Sequence, residues 1–221
     1  MDRDEAAFRV VSSLYRILHL AATTREADIV LIDVGPNLGA LNRSAILAAD
    51  AVVVPLAADL YSLQGLKNLG PTLHEWRDQW RDRLGRRPSP LQLDLPTGEM
   101  KPLGYIVLQH AVRMDRPVKA YERWMARIPN VYKSAILEEA EDESLTVLND
   151  SNCLASLKHY RSLMPLAQDA LKPMFHLKAA DGALGSHLYA VQECDRDFKN
   201  LTSKIAEAAG IAWRSSESAV A

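Results

Sequence analysis

The sequence predicts an α/β protein with a parallel sheet and a helical C-terminal extension, and three observations carry that expectation. The runs IVLIDV (29–34), AVVVPL (51–56) and GYIVLQ (104–109) have the nearly continuous hydrophobicity of short strands covered on both faces. Segments with apolar residues three and four apart separate them, as strand–helix–strand units require. Beyond residue 150 the pattern is helical almost to the C-terminus.

Phe8, Val11, Tyr15, Leu18 and Ala22 recur at helical steps and predict one amphipathic helix over 5–23. GPNLG breaks the pattern after the first apolar run, and NRSAILAAD favours a helix over 41–49. The second strand is expected to stop at Pro55. Ser62 is the expected N-cap of a long helix through Trp76 and Trp80 to Leu84. Residues 85–102 hold four prolines and two glycines and read as a loop. A helix is expected over 118–127, an Ile-Pro-Asn corner at 128–130, one helix over 151–171 and another over 182–209. The polar end, WRSSESAVA, reads as frayed.

Composition narrows the function classes. The net charge of −2 argues against a protein that coats nucleic acid with its whole surface. The charge is uneven, however: His74 to Lys133 carries twelve Lys and Arg against seven Asp and Glu, and Ser134 to Asp150 carries six acids and no base. Cys153 and Cys194 form no CxxC pair, and the six histidines contain neither HExxH nor an i, i+4 pair, so metal catalysis has no support. No apolar run approaches a membrane span and no signal-peptide pattern opens the chain, which makes cytoplasm the default expectation.

Asp33 interrupts the first apolar run just before a Gly-Pro turn. In open α/β sheets ligands bind beyond the carboxyl ends of strands, where an acid typically holds magnesium beside a nucleotide phosphate. An acid there can equally cap the following turn through backbone N–H groups. Position alone leaves both readings open.

The residues around it carry a resemblance. Asp33, Pro36, Leu38, Gly39, Asn42, Ala45, Ala48, Ala49, Asp50, Val52 and Pro55 resemble the D-x-P-P-x-L-G, Asn-x-x-Ala and A-A-D-x-V-x-x-P segments of the ParA/MinD-type deviant Walker P-loop ATPases. Gly35 stands where the first proline of that pattern is usual. Tyr61 to Leu66 is similar to the family's aromatic-(A/S)-L-E/Q-G-L helix start, Gly104 to Gln109 to its adenine-side strand, and Ile128 to Val131 to its I-P-R-N-V corner. The resemblance covers roughly residues 25–172.

It implies a three-layer P-loop NTPase-like parallel sheet, incomplete at its N-terminal side. The implied domains are an ATPase part over 1–172, a helical extension over 173–210 and a disordered tail over 211–221. The implied activity is ATP-dependent dimerisation, nonspecific DNA binding and slow hydrolysis in DNA segregation. ATP and Mg2+ are the implied cofactors; a homodimer, DNA and a ParB-like stimulating protein are the implied partners, without a membrane. By the same resemblance Asp33, Gly35, Pro36 and Gln109 would border the nucleotide, with Asp33 holding magnesium through water. Gln109 could instead serve local backbone. Arg113, Arg116, Lys119, Arg123 and Arg127 would contact DNA, against the alternative of a solvated helix face.

The family's K-G-G-x-G-K-T/S phosphate loop and D-x-D-P-Q segment are absent from the 221 residues. Gly65 to Thr72 has the G-x-x-x-x-G spacing, but Pro71 takes the lysine position within a predicted helix, so it is rejected as a phosphate loop. Phosphoryl transfer needs that loop and its lysine. The expectation is therefore the C-terminal portion of a ParA-like ATPase, with no catalytic residues of its own and inactive alone. The alternative is a non-catalytic ParA-like adaptor. Without the phosphate-loop strand, IVLIDV and AVVVPL are expected to lack a shared neighbour.

Overall fold

A computed structural model of the protein describes residues 3–35, 37–88, 91–108 and 119–212, with the side chains of 3, 4 and 119–121 excepted. The eight helices among the described residues are α1 (Arg3–Val11), α2 (Ser13–Arg25), α3 (Ala40–Ala48), α4 (Leu60–Gly85), α5 (Lys119–Met125), α6 (Ile128–Ile136), α7 (Leu163–Ala170) and α8 (Ser186–Ala209). The strands are β1 (Ala51–Ala57), β2 (Lys101–Leu108) and β3 (Cys153–Leu157). They form an α/β fold around a sheet of order β1-β2-β3.

The chain divides into two units. Met1–Val52, Leu66–Pro102 and Ala135–Glu138 make the first; Val53–Gly65, Leu103–Ser134 and Glu139–Ala221 make the second.

In the first unit the single helix expected over 5–23 is two. Ser12 separates α1 from α2, and its buried hydroxyl donates to the Phe8 carbonyl at 2.7 Å. A serine that bonds backward to the preceding turn in this way favours a bend. Phe8 turns its ring edge into Trp80 of α4, 5.8 Å between centroids. The Trp80 indole N–H donates to the Pro96 carbonyl at 2.9 Å. Arg77, one turn earlier, donates to the carbonyls of Glu99 (2.8 Å) and Met100 (3.0 Å). The proline-rich connection thus has no strand or helix over 91–100, yet α4 fixes its backbone. Arg43 ties α3 to α4 by donating to Gln79 Oε1 at 2.7 Å and lying 5.5 Å from the Trp76 ring centroid.

The largest departure from expectation lies at 29–34. IVLIDV is not a strand: none of these residues is in a ladder, and Leu31 is 90% exposed. A strand exists only where a neighbour accepts its backbone hydrogen bonds, and here no described neighbour does.

The second unit holds β1 from Val53 on, β2 from Leu103 on and all of β3. β2 and β3 are parallel, pairing Tyr105 with Cys153 and then, after a one-residue slip, Ile106 with Ala155 through Leu108 with Leu157. β1 runs through Pro55 rather than ending there; Pro55 is exposed on the outer strand, where its missing donor is tolerated. Asp59, not Ser62, caps α4: its carboxylate accepts the Ser62 N–H at 2.7 Å, while Ser62 Oγ accepts the Ala57 N–H. The Ile-Pro-Asn corner is the opening of α6, with Pro129 in the first turn.

The helix expected over 151–171 is β3 followed by α7. α8 matches the long helix expected over 182–209 and packs Leu201 with Leu154 and Leu157 of β3, against Val53 and Ile106. Its earlier turns join Val191 and Cys194 to Tyr160, Leu163 and Leu177. The expected tail falls mostly outside the described residues.

Cys153 and Cys194 are both buried, and burial, helped by Asp197, pushes the Cys194 thiol up to about 11. Burial likewise raises Cys153. Neither thiol should react with Ellman's reagent at neutral pH, whereas guanidinium chloride should release both. A stoichiometric native reaction would contradict this packing.

Candidate functional site

Asp33 follows four apolar residues in the unpaired segment and is itself exposed. Just beyond it the chain turns, and Asn42 of α3 holds that turn. Its Nδ2 donates to the carbonyls of Gly35 (2.7 Å) and Asn37 (2.8 Å). Asn37 N–H also donates to the Gly35 carbonyl at 2.8 Å, and Asn37 Oδ1 accepts the Gly39 N–H at 3.0 Å. The short Asn side chains stand in for backbone partners that a tight turn leaves free. A β-carbon at Gly35 would meet only ordinary contacts, 3.5 Å from Asn37 Nδ2, so space alone does not require glycine there.

The carboxylate of Asp33 makes no hydrogen bond to the turn, so the capping alternative has no bond in its favour among the described residues. It can supply one oxygen ligand to a hard cation. Magnesium is ordinarily held by one or two carboxylates together with phosphate oxygens and water. Among the described residues no three His, Cys, Asp or Glu side chains gather into a metal site. A lone exposed carboxylate does not fit the ion by itself, and no chemical step is assigned to it.

Pro36, Gln109, Arg113 and Arg116 lie outside the described residues, and Lys119 begins α5 without a described side chain. Arg123 and Arg127 are exposed on either side of Trp124, each guanidinium carbon 5.3 Å from the indole centroid. Trp124 holds two cations on one surface, a cation–π arrangement that the sequence reading did not assign. The i, i+3 spacing of Trp124 and Arg127 was the available signal; the adjacent Arg123 gave none, because neighbours in sequence do not ordinarily face each other on a helix.

Gly65 to Thr72 lies inside α4, which settles it as helix and not phosphate loop. Two other polar groupings lie away from the Asp33 turn, and neither forms a site. Tyr105 donates to Asp150 at 2.8 Å beneath the surface, and Asp150 also accepts the backbone and side-chain N–H groups of Asn152, both at 2.9 Å. Burial, with Asp150 adding, raises the Tyr105 and Tyr132 phenols far above their ordinary range. With both rings fully buried, this cluster fastens the approach to β3 and offers no room for a substrate. Ser162 Oγ and His187 Nε2 are 2.9 Å apart, but His187 Nδ1 has no partner among the described residues, so nothing orients a base. An open groove of about 510 Å3 along α8, lined by Phe175, Tyr189, Val191, Gln192, Asp195 and Arg196, contains none of the expected site residues. No described helix is long and apolar enough to cross a membrane.

Comparison with known proteins bears on the segment around Asp33. Residues 9–85 match the family model AAA_31, an AAA domain. The chromosome-partitioning ATPase Soj of Thermus thermophilus is 44% identical over 57 residues, 26% of this chain and 23% of that protein. The chromosome partitioning protein ParA of Myxococcus xanthus is 38% identical over 73 residues, 33% of this chain and 24% of that protein. Protein IncC of Escherichia coli is 37% identical over 60 residues, 27% of this chain and 17% of that protein. The matched region thus spans less than a quarter of each of these relatives. Among solved structures, protein DIP2308 of Corynebacterium diphtheriae superposes with a TM-score of 0.50 at 18% identity, over 92% of this chain and 56% of that one, a likeness of fold alone.

Proposed function

We propose that the chain, whose residues 9–85 match an AAA domain and which is similar in part to ParA and Soj, is the C-terminal portion of a partitioning ATPase that carries the magnesium side of the nucleotide site without the phosphate side. The observation that carries this reading is Asp33, inside the matched segment and ahead of the Asn42-braced turn, in a chain with no phosphate loop. The parent activity would be ATP-dependent dimerisation, nonspecific DNA binding and DNA segregation, stimulated by a ParB-like protein. Backbone donors and a lysine must surround the β- and γ-phosphates for transfer, and this chain supplies neither as a loop.

Calorimetry with Mg·ATP on the purified chain should show no binding; micromolar affinity would overturn the proposal. Joined to a segment bearing K-G-G-x-G-K-T and its strand, the chain should gain magnesium-dependent ATP binding. Asp33→Asn in that longer protein should weaken it at least about tenfold, the loss of the negative charge that holds the ion through water. If the longer protein folds yet still ignores nucleotide, the chain is a ParA-shaped adaptor instead.

The basic surface gives a separate expectation. A phosphate-contact role for Arg123 and Arg127 is supported by their pairing on the Trp124 ring, which sets two exposed cations side by side. Arg123→Ala combined with Arg127→Ala in the nucleotide-loaded longer protein should weaken binding to duplexes of any sequence. It should also flatten the slope of log affinity against log salt by about two, one per lost phosphate contact. An unchanged slope in fluorescence anisotropy removes these arginines from the DNA surface.

A further inference from the structure

The open groove beside α8 has walls suited to a cation, and the same helix holds out a cation that nothing nearby neutralises. Phe175 and Tyr189 contribute aromatic rings to the groove, and Val191, Gln192 and Asp195 complete its lining with Arg196. Tyr189 is 62% exposed, so its ring is presented to solvent. Aromatic rings and a carboxylate in one groove attract a guanidinium group, the rings through their quadrupoles and Asp195 through its charge. Asp195 already meets Lys199 at 3.0 Å, but a carboxylate has room for a second donor.

Arg196 is the matching cation. It is exposed and has no carboxylate within ion-pair distance among the described residues. The acids around it are engaged elsewhere: Glu193 with Lys158 at 2.8 Å, Asp195 with Lys199, and Asp197 with the Tyr160 hydroxyl at 2.8 Å. Nor does Arg196 lie over any aromatic ring among the described residues.

Spacing identifies the occupant. Tyr189, Gln192 and Arg196 fall at i, i+3 and i+7 on one stripe of α8. Two such stripes laid antiparallel about a two-fold axis near Gln192 bring each Arg196 onto the other copy's Tyr189. Parallel pairing would instead set Arg196 against Arg196. A surface that carries both a receptor and its ligand, exchanged by a two-fold axis, is complementary to itself.

We infer that α8 is a self-pairing surface: two copies of the chain associate antiparallel through Tyr189, Gln192 and Arg196, each Arg196 entering the other copy's groove between Phe175 and Tyr189. One helix face per copy is a small interface, so the dimer is weak and reversible. It forms without nucleotide, which separates it from the ATP-dependent dimerisation proposed above.

Sedimentation equilibrium of the whole chain without nucleotide, over the micromolar to millimolar range, should show a reversible monomer–dimer equilibrium. Arg196→Ala and Tyr189→Ser should each weaken it at least about tenfold, because each removes both reciprocal contacts. Both side chains are exposed, so thermal melts of the variants should match the parent. An equal mixture of the two variants tests the reciprocity. Arg196→Ala keeps the groove and Tyr189→Ser keeps the cation, so the mixed dimer regains one contact and should form several-fold more tightly than either variant alone. A monomer throughout the range overturns the inference, whatever the variants do. A dimer indifferent to both substitutions overturns it too, as does a mixture no tighter than its components. None of these outcomes alters the calorimetric test of ATP binding.

Discussion

Replacing Trp80 by alanine should destabilise the protein by about 3–5 kcal/mol, the range for deleting a fully buried tryptophan. Trp80 is 1% exposed, and two separate stretches of the first unit, α1 and the proline-rich connection, meet on it. Phe8 of α1 contributes the edge contact, Pro96 its carbonyl, and Gly98 a backbone so close that a β-carbon there would collide with the indole Cδ1. Gly98 also has φ of +70°, a conformation in which a side chain would be strained. The loss would therefore exceed a cavity: the proline-rich connection would lose both its apolar anchor and a hydrogen bond. Against a typical total stability of about 5–15 kcal/mol, such a change removes a large share. Urea titration followed by far-UV circular dichroism should show the midpoint move sharply to lower urea. Trp80→Phe should keep most of the packing but leave the Pro96 carbonyl unpaired, costing about 1–3 kcal/mol. If both variants unfold like the parent, the connection is held by something other than Trp80.

Gly70→Ala should cost about 2–3 kcal/mol even though the site is helical, where alanine normally stabilises by about 0.5–1 kcal/mol over glycine. The added β-carbon would fall on the carbonyl oxygen of Ala135. On the same side of α4, His74 Nε2 lies 3.1 Å from the Ile136 carbonyl. Gly70 is thus the point where α4 and the end of α6 approach backbone to backbone, and backbone cannot yield as a flexible side chain could. Gly65 provides the control. It lies in the same helix with nothing within 4 Å of an added β-carbon, so Gly65→Ala should stabilise by about 0.5–1 kcal/mol. Opposite signs for two identical substitutions five residues apart, read from thermal melts, are the expected signature. The same sign for both would refute the close approach at Gly70.

That glycine pair also shows how far sequence reading reaches. Pro71 in the lysine position and the helical setting sufficed to exclude a phosphate loop at Gly65–Thr72, because the motif requires a particular residue in a particular context. The reason for Gly70 itself was invisible, since Ala135 is remote in sequence. Around Asp33 the order of Asp, Gly, Asn and Ala was legible as a pattern, and the match over 9–85 agrees with it. That Asn42 ties the Gly35–Asn37 turn from across that turn needed coordinates.

Local chemistry, written in neighbouring residues, is what the sequence by itself determined: the runs that became β1 and β2, the periodicity of α8, the absence of a phosphate-loop motif from the 221 residues and the likeness of the Asp33 segment to an AAA domain. Tertiary structure alone decided which apolar runs are strands. Cys153–Leu157 becomes one because β2 accepts its hydrogen bonds, and Ile29–Val34 does not because no described strand lies beside it. A strand's backbone bonds are made to another part of the chain, so its identity belongs to a pair, and no single stretch of sequence contains the pair.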